Sequence, residues 1–108
     1  MKKGDIYLID LISSFSHEQY GFRPAIIMSQ AVAGMIIVVP LTTNLEALRF
    51  PYTLSFLPNS MNNLTQNSIA LVFQLKSIDK KRIKKKIGRL SNQDLTKLEK
   101  TVKDLFNF

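Results

Sequence analysis

Two stretches of the chain are continuously apolar, and each carries a polar group at one end. Arg23 precedes Pro24-Ala25-Ile26-Ile27-Met28, and Met35-Ile36-Ile37-Val38-Val39-Pro40-Leu41 runs into Thr42-Thr43. Apolar runs of this length without alternation predict strands covered on both faces, over about 23–28 and 35–41. Ala33-Gly34 supplies the turn of a hairpin between them. Antiparallel pairing then sets Arg23, at the entry of one strand, near Thr42, at the exit of the other. A guanidinium and a hydroxyl held side by side on rigid strands suit a phosphate group.

The rest of the pattern predicts a mostly β chain. Asp5–Leu11 reads as a first strand. Tyr52-Thr53-Leu54-Ser55-Phe56 alternates strictly and predicts a half-buried strand. Residues 69–75 form another buried strand, and a short strand is expected from about Lys84 to Arg89. Pro40 lacks an amide donor, which implies a strand end, an edge or a bulge. Residues 12–21, 43–51 and 58–63 are polar, turn-rich connections, and 79–82 suits a short helical turn.

The one clear helix starts at Ser91. Ser91-Asn92-Gln93-Asp94 resembles a capping box, and Leu90 and Leu95 are spaced for a hydrophobic staple. Leu95, Leu98, Val102 and Leu105 share one face, so this helix is core cover. Short strands followed by a terminal helix predict a β-rich α+β fold: a small barrel of mostly antiparallel strands with a C-terminal helix packed on it.

At 108 residues the chain fits one domain spanning 1–108, large enough for a core without staples. It has no cysteine, so disulfides and thiol chemistry are excluded. The apolar stretch after Lys2-Lys3 is short and broken by Asp10, and no run approaches the roughly 20 apolar residues of a membrane span. A cytoplasmic protein without membrane contact is expected. The net charge of +7 has one source. Residues 76–89 hold eight Lys and Arg against Asp79 alone, while the flanking segments balance. Such a concentrated footprint binds phosphates, or else forms a solvated face.

The chemistry is bounded by what is missing. One histidine and no cysteine cannot assemble the usual zinc site or a paired-histidine ribonuclease. No Gly-rich phosphate loop is present, and the eight acids are scattered rather than clustered for magnesium. No cofactor or metal is expected. Metal-free RNA cleavage remains open, because the ribose 2′-hydroxyl is itself the nucleophile. The protein must align it and stabilise the anionic phosphorane. Arg23 suits charge stabilisation rather than proton removal, since a guanidinium keeps its proton in proteins. Singly, each residue also has a structural reading. Arg23 can be a surface ion-pair partner, Thr42-Thr43 a strand cap, Glu18 a partner for Arg23, and His17 a solvated loop residue.

Four segments, in order, resemble the MazF/PemK family of toxins. Gly4-Asp5-Ile6-Tyr7 matches its G-D-[IVL]-[YW] opening. Glu18-Gln19-Tyr20-Gly21-Phe22-Arg23-Pro24 is similar to its E-Q-x-G-x-R-P signature. Val39-Pro40-Leu41-Thr42-Thr43 is similar to V-P-x-T-T, and Ser68–Asp79 to S-x-A-L-x-x-Q-[IV]-[RK]-[ST]-[IL]-D. The resemblance implies an SH3-like barrel, a homodimer and a sequence-specific, metal-independent endoribonuclease. Such an enzyme acts on single-stranded RNA, leaves a 2′,3′-cyclic phosphate and a 5′-hydroxyl, and is neutralised by a cognate antitoxin with an acidic C-terminal segment. It places the catalytic roles on Arg23 and Thr42. RNA contacts are expected from His17, Glu18 and Gln19, from Thr43, and from Gln74 and Lys76. Lys80, Lys84 and Lys86 are expected to hold flanking phosphates. His17 departs from the family, which often has Gly-Ser before the glutamate. Two other functions fit the composition: a non-catalytic toxin like CcdB, acting on DNA gyrase by protein contact, and a basic RNA-binding barrel without turnover. The motifs around Arg23 and Thr42 argue against the first, and incubation with RNA in EDTA separates the second.

Overall fold

The computed structural model describes residues 1–11 and 21–107. The strands are β1 (Asp5–Leu11), β2 (Gly21–Ile27), β3 (Met35–Thr42), β4 (Thr53–Phe56), β5 (Ser68–Leu71), β6 (Lys76–Asp79) and β7 (Ile83–Arg89). Three 3-10 turns punctuate them: η1 (Leu45–Arg49), η2 (Val72–Gln74) and η3 (Lys80–Arg82). A single helix, α1, covers Asn92–Phe106. All seven strands join one sheet in the order β4-β5-β3-β2-β1-β7, with β6 also paired to β3, and every pairing is antiparallel.

The sheet is covered on both faces, which explains the unbroken apolar runs. On β2 and β3, Ile26, Val39 and Leu41 enter one core with Phe56 and Leu98. The alternate residues Ala25, Ile27, Ile36 and Val38 enter a second core with Ile9 and Ile78. Helix α1 closes the first core through Leu95, Leu98, Val102 and Leu105. Its Ser91 hydroxyl accepts the Asp94 amide at 3.1 Å, as the capping pattern predicts.

Curvature of the sheet closes the second core. Laid flat, β6 and β7 would stand four strand spacings apart, about 19 Å. The chain between Asp79 and Ile83 reaches only about 13 Å even when extended. The sheet therefore curls so that η3 joins its ends, barrel-like, with Ile9, Ala25, Ile27, Ile36 and Val38 inside.

One expectation needs correction. The predicted strand over 69–75 stops at Leu71, where β5 gives way to η2, and a further strand, β6, starts at Lys76 beyond the predicted end. Both pair with the same side of β3. The β5 ladder runs Leu41↔Ala70 and Thr42↔Ile69, and the β6 ladder runs Val38↔Lys76 to Met35↔Asp79. Between them the register moves by three residues, the length of η2. Buried Pro40 pairs with Ala25 on one side and on the other falls in the gap between these ladders. Its missing amide therefore costs no ladder bond. A second difference is that the connection 43–51 is not irregular throughout: η1 forms there, capped by the Asn44 carboxamide, which accepts the Glu46 amide at 3.1 Å.

The Gly4-Asp5 opening is a structural anchor. Gly4 has φ +95°, and a Cβ there would meet Leu95 Cδ2 at 3.2 Å. Its amide donates to Ile27 O and its carbonyl accepts from Leu90, tying β2 and the start of α1 to β1. The buried Asp5 carboxylate accepts the Lys2 amide at 2.9 Å and lies 3.5 Å from the Lys86 ammonium.

Candidate functional site

Strand register brings Arg23 and Thr42 together. The β2–β3 ladder reads Ala25↔Pro40, Ile26↔Val39 and Ile27↔Val38. Continued by two residues, it sets Arg23 opposite Thr42. Both are half-buried, and both share the parity of the interior residues Ala25, Ile27, Ile36 and Val38. They lie where that interior face ends. Arg23 is also paired with Ile9 of β1, and Ile9 with Ile83 of β7. A row Thr42–Arg23–Ile9–Ile83 thus crosses four strands of one face.

Among the described residues, both polar groups keep capacity for an external partner. The Thr42 hydroxyl oxygen accepts the Asn44 amide at 3.2 Å, leaving its proton for an external acceptor. Among the described residues, no carboxylate lies within ion-pair distance of Arg23.

Beside Thr42 the surface opens into a cavity of about 190 Å³. Its walls come from the two 3-10 turns that interrupt the sheet. Asn44, Glu46, Ala47, Arg49 and Phe50 come from η1 and its flanks, and Leu71, Phe73 and Gln74 from the end of β5 and η2. Phe50 and Phe73 stack at 5.7 Å between centroids, tilted by 49°, and the Arg49 guanidinium sits 5.1 Å over the Phe50 ring. The arrangement is held by a backbone outlier. Tyr52 has φ +59°, rare for a bulky residue, and its carbonyl accepts the Phe73 amide at 3.3 Å. Strain of this kind persists only where the surroundings over-determine it, and it clusters at ligand sites.

The other expected site residues are spread more widely. Thr43 is exposed, one residue beyond β3, and Gln74 lines the cavity. Lys76 lies on β6 and Lys80 on η3, both exposed. Lys84 and Lys86 lie on β7, two strand spacings or about 10 Å across the sheet from β2. Lys86 is engaged with Asp5, whereas Lys84 makes no ion pair among the described residues. His17, Glu18 and Gln19 lie outside the described residues. The cavity residues Glu46, Arg49 and Phe73 were not singled out by chemistry in the sequence. Phe73 sits inside an apolar run that reads as strand. Among the described residues, no group of three or more His, Cys, Asp or Glu side chains could hold a metal ion. No helix among them is long and apolar enough to cross a membrane.

Comparison with known proteins bears on this geometry. Residues 2–106 match the family model described as PemK-like, MazF-like toxin of type II toxin-antitoxin system. The endoribonuclease MazF of Staphylococcus saprophyticus is 27% identical over 106 residues, spanning 94% of this chain and 88% of the relative. Among solved structures, MazF of Deinococcus radiodurans superimposes with a TM-score of 0.77 at 22% identity, covering 100% of this chain and 97% of that one. A mycobacterial endoribonuclease in complex with its cognate antitoxin superimposes with a TM-score of 0.72 at 17% identity, covering 98% and 92%. At these identities the two structures establish the shared fold.

Proposed function

The chain belongs to the PemK-like, MazF-like toxin family of type II toxin-antitoxin systems, and from that premise we propose that it is a sequence-specific, metal-independent endoribonuclease acting on single-stranded RNA. The observation that carries the reading is the β2–β3 register, which, continued two residues beyond Ala25↔Pro40, faces Arg23 toward Thr42 at the end of the barrel's interior face. A scissile phosphate seated there meets a two-pronged cation and a hydroxyl donor on rigid strands. The ribose 2′-hydroxyl attacks phosphorus, the P–O5′ bond breaks, and the products are a 2′,3′-cyclic phosphate and a 5′-hydroxyl. Arg23 stabilises the charge that develops on the phosphorane oxygens, and Thr42 donates one further hydrogen bond to them. Metal independence follows from the donor set: one histidine, no cysteine and dispersed acids.

The same reading makes residues 1–108 one toxin domain working in the cytoplasm as a homodimer. Its cognate antitoxin brings an acidic C-terminal segment that competes with RNA for the basic surface of η3 and β7. Glu18, His17 and Gln19 are proposed to contact RNA from the loop before β2, with Thr43, Gln74 and Lys76 on the Thr42 side.

Incubation with a long mixed-sequence RNA in EDTA tests the activity, with fragment ends mapped and their chemistry identified. Discrete fragments bearing cyclic phosphate are expected. Arg23→Ala lowers the rate by about 10²–10³-fold while far-UV circular dichroism is unchanged. Fragments only with magnesium, or full activity in Arg23→Ala, would reject the assignment.

A further inference from the structure

The cavity between η1 and η2 has chemistry that phosphate binding leaves unused. We propose that it holds a single unstacked base of the RNA next to the scissile phosphate and selects guanine. The inference rests on the RNA-cleavage reading above and adds the identity of one recognised base.

Three observations point there. First, the cavity adjoins Thr42, so a nucleotide whose phosphate lies at Thr42 can place its base inside. Second, its aromatic wall keeps open surface: Phe50 and Phe73 are 45% and 40% exposed although they pack on each other and Arg49 lies over the Phe50 ring, which leaves Phe73 as the stacking surface. Stacking of a splayed base on such rings is the usual way single-stranded RNA is held. Third, the polar groups form an uneven set. The Glu46 carboxylate accepts only, and Arg49 donates only. They are three residues apart on one turn, line the same cavity, and make no ion pair with each other. The Asn44 carbonyl oxygen is committed to capping η1, which leaves its amide as a donor.

The bases differ in what they offer to that set. Guanine alone presents two adjacent donors, N1–H and the 2-amino group, beside the O6 acceptor. A carboxylate takes the two donors as a fork, and Arg49 or the Asn44 amide donates to O6. Adenine and cytosine each place a ring acceptor next to their amino group, which a carboxylate repels. Uracil has one N–H between two carbonyls. Each good bidentate pair discriminates between bases strongly enough to be read in binding.

The test uses the full-length protein and fluorescent uridine hexamers that carry one guanine, inosine, adenine or cytosine. All are 2′-O-methylated, so no nucleophile is present and binding is read without cleavage. The guanine hexamer is expected to bind about 10-fold or more tighter than all-uridine. Inosine, which lacks the 2-amino group, loses most of that gain. Glu46→Gln, isosteric and exposed, removes the guanine preference. Phe73→Ala weakens all hexamers alike. Equal affinities across the set, a preference for adenine or cytosine, or a guanine preference that survives Glu46→Gln would overturn the proposal. Guanine selection without cleavage of natural RNA would sink the nuclease reading and keep the pocket; cleavage without guanine selection would do the reverse.

Discussion

Gly88→Ala isolates a close approach on which the β7 edge depends. Gly88 pairs with Ile6 beside a register shift in the β1–β7 ladder. There the 57–64 connection lies directly over it. A Cβ at this position would stand 2.5 Å from Asn62 O and 2.6 Å from Met61 O, both backbone atoms. The connection cannot yield cheaply. Asn62 is 1% exposed, and its side chain accepts the Asn59 and Leu64 amides and donates to Leu57 O. Ordinary contact at about 3.4 Å requires the loop to withdraw by about 0.9 Å. That stretch breaks the Arg89 amide bond to Met61 O, now 3.0 Å, and the Asn63 Nδ2 bond to Ile87 O, now 2.9 Å. Two lost hydrogen bonds at about 1 kcal/mol each, with about 1–2 kcal/mol of overpacking, sum to about 3–4 kcal/mol. Urea unfolding followed by circular dichroism should show a midpoint lower by about 1–2 M at unchanged slope. Asn63→Ala should cost much less in the Gly88→Ala background than in the parent, since its bond is already broken. A loss under about 1 kcal/mol, or full additivity of the two substitutions, would refute the close-approach argument.

Three further substitutions test particular features of the structure. Lys84→Ala should flatten the salt dependence of RNA binding by about one unit of slope at unchanged stability. Lys86→Ala should instead cost about 1 kcal/mol in urea unfolding, because it leaves the buried Asp5 carboxylate with the Lys2 amide but without its cation; the figure is modest since the ammonium is half exposed. Ala33 has φ +51° beside Gly34 at φ +78° in the two-residue hairpin closed by Val32 and Met35. Ala33→Asn should raise stability by about 0.5–1 kcal/mol, read as a higher melting temperature.

Much of this molecule is legible along the chain, and the exceptions have physical causes. β1 and α1 carry end signals of their own: Gly4 before the strand, and the Ser91 cap before the helix. The central hairpin is announced by two unbroken apolar runs, and burial on both faces produces them. Arg23 and Thr42 stand out because a polar group at the end of such a run needs a reason to be there. The division of 69–79 is hidden, because Val72, Phe73 and Leu75 are as apolar as strand residues and hydrophobicity carries no record of register. With η2 unseen, the cavity that it completes with η1 is unseen too. Charge density marks the lysine segment but does not distinguish Lys84 from Lys86, whose ammonium finds Asp5 some eighty positions away. The polar connection 43–51 borders the site through η1.

The three-residue slip between the β5 and β6 ladders has an evolutionary consequence. Residues inside a ladder cannot be inserted, deleted or shifted without turning neighbouring side chains to the wrong face. Arg23, two residues inside β2, and Thr42, the last residue of β3, are held in such ladders. Apart from Thr42 and Leu71, the cavity walls belong to η1, its flanks and η2, where the chain has left the ladders. Substitution, lengthening or shortening there leaves the pairing of β3 intact. Descendants of one ancestral chain can therefore diverge around this cavity while keeping the β2–β3 register, and a laboratory library confined to the exposed residues of 44–50 and to 73–74 would explore that same freedom.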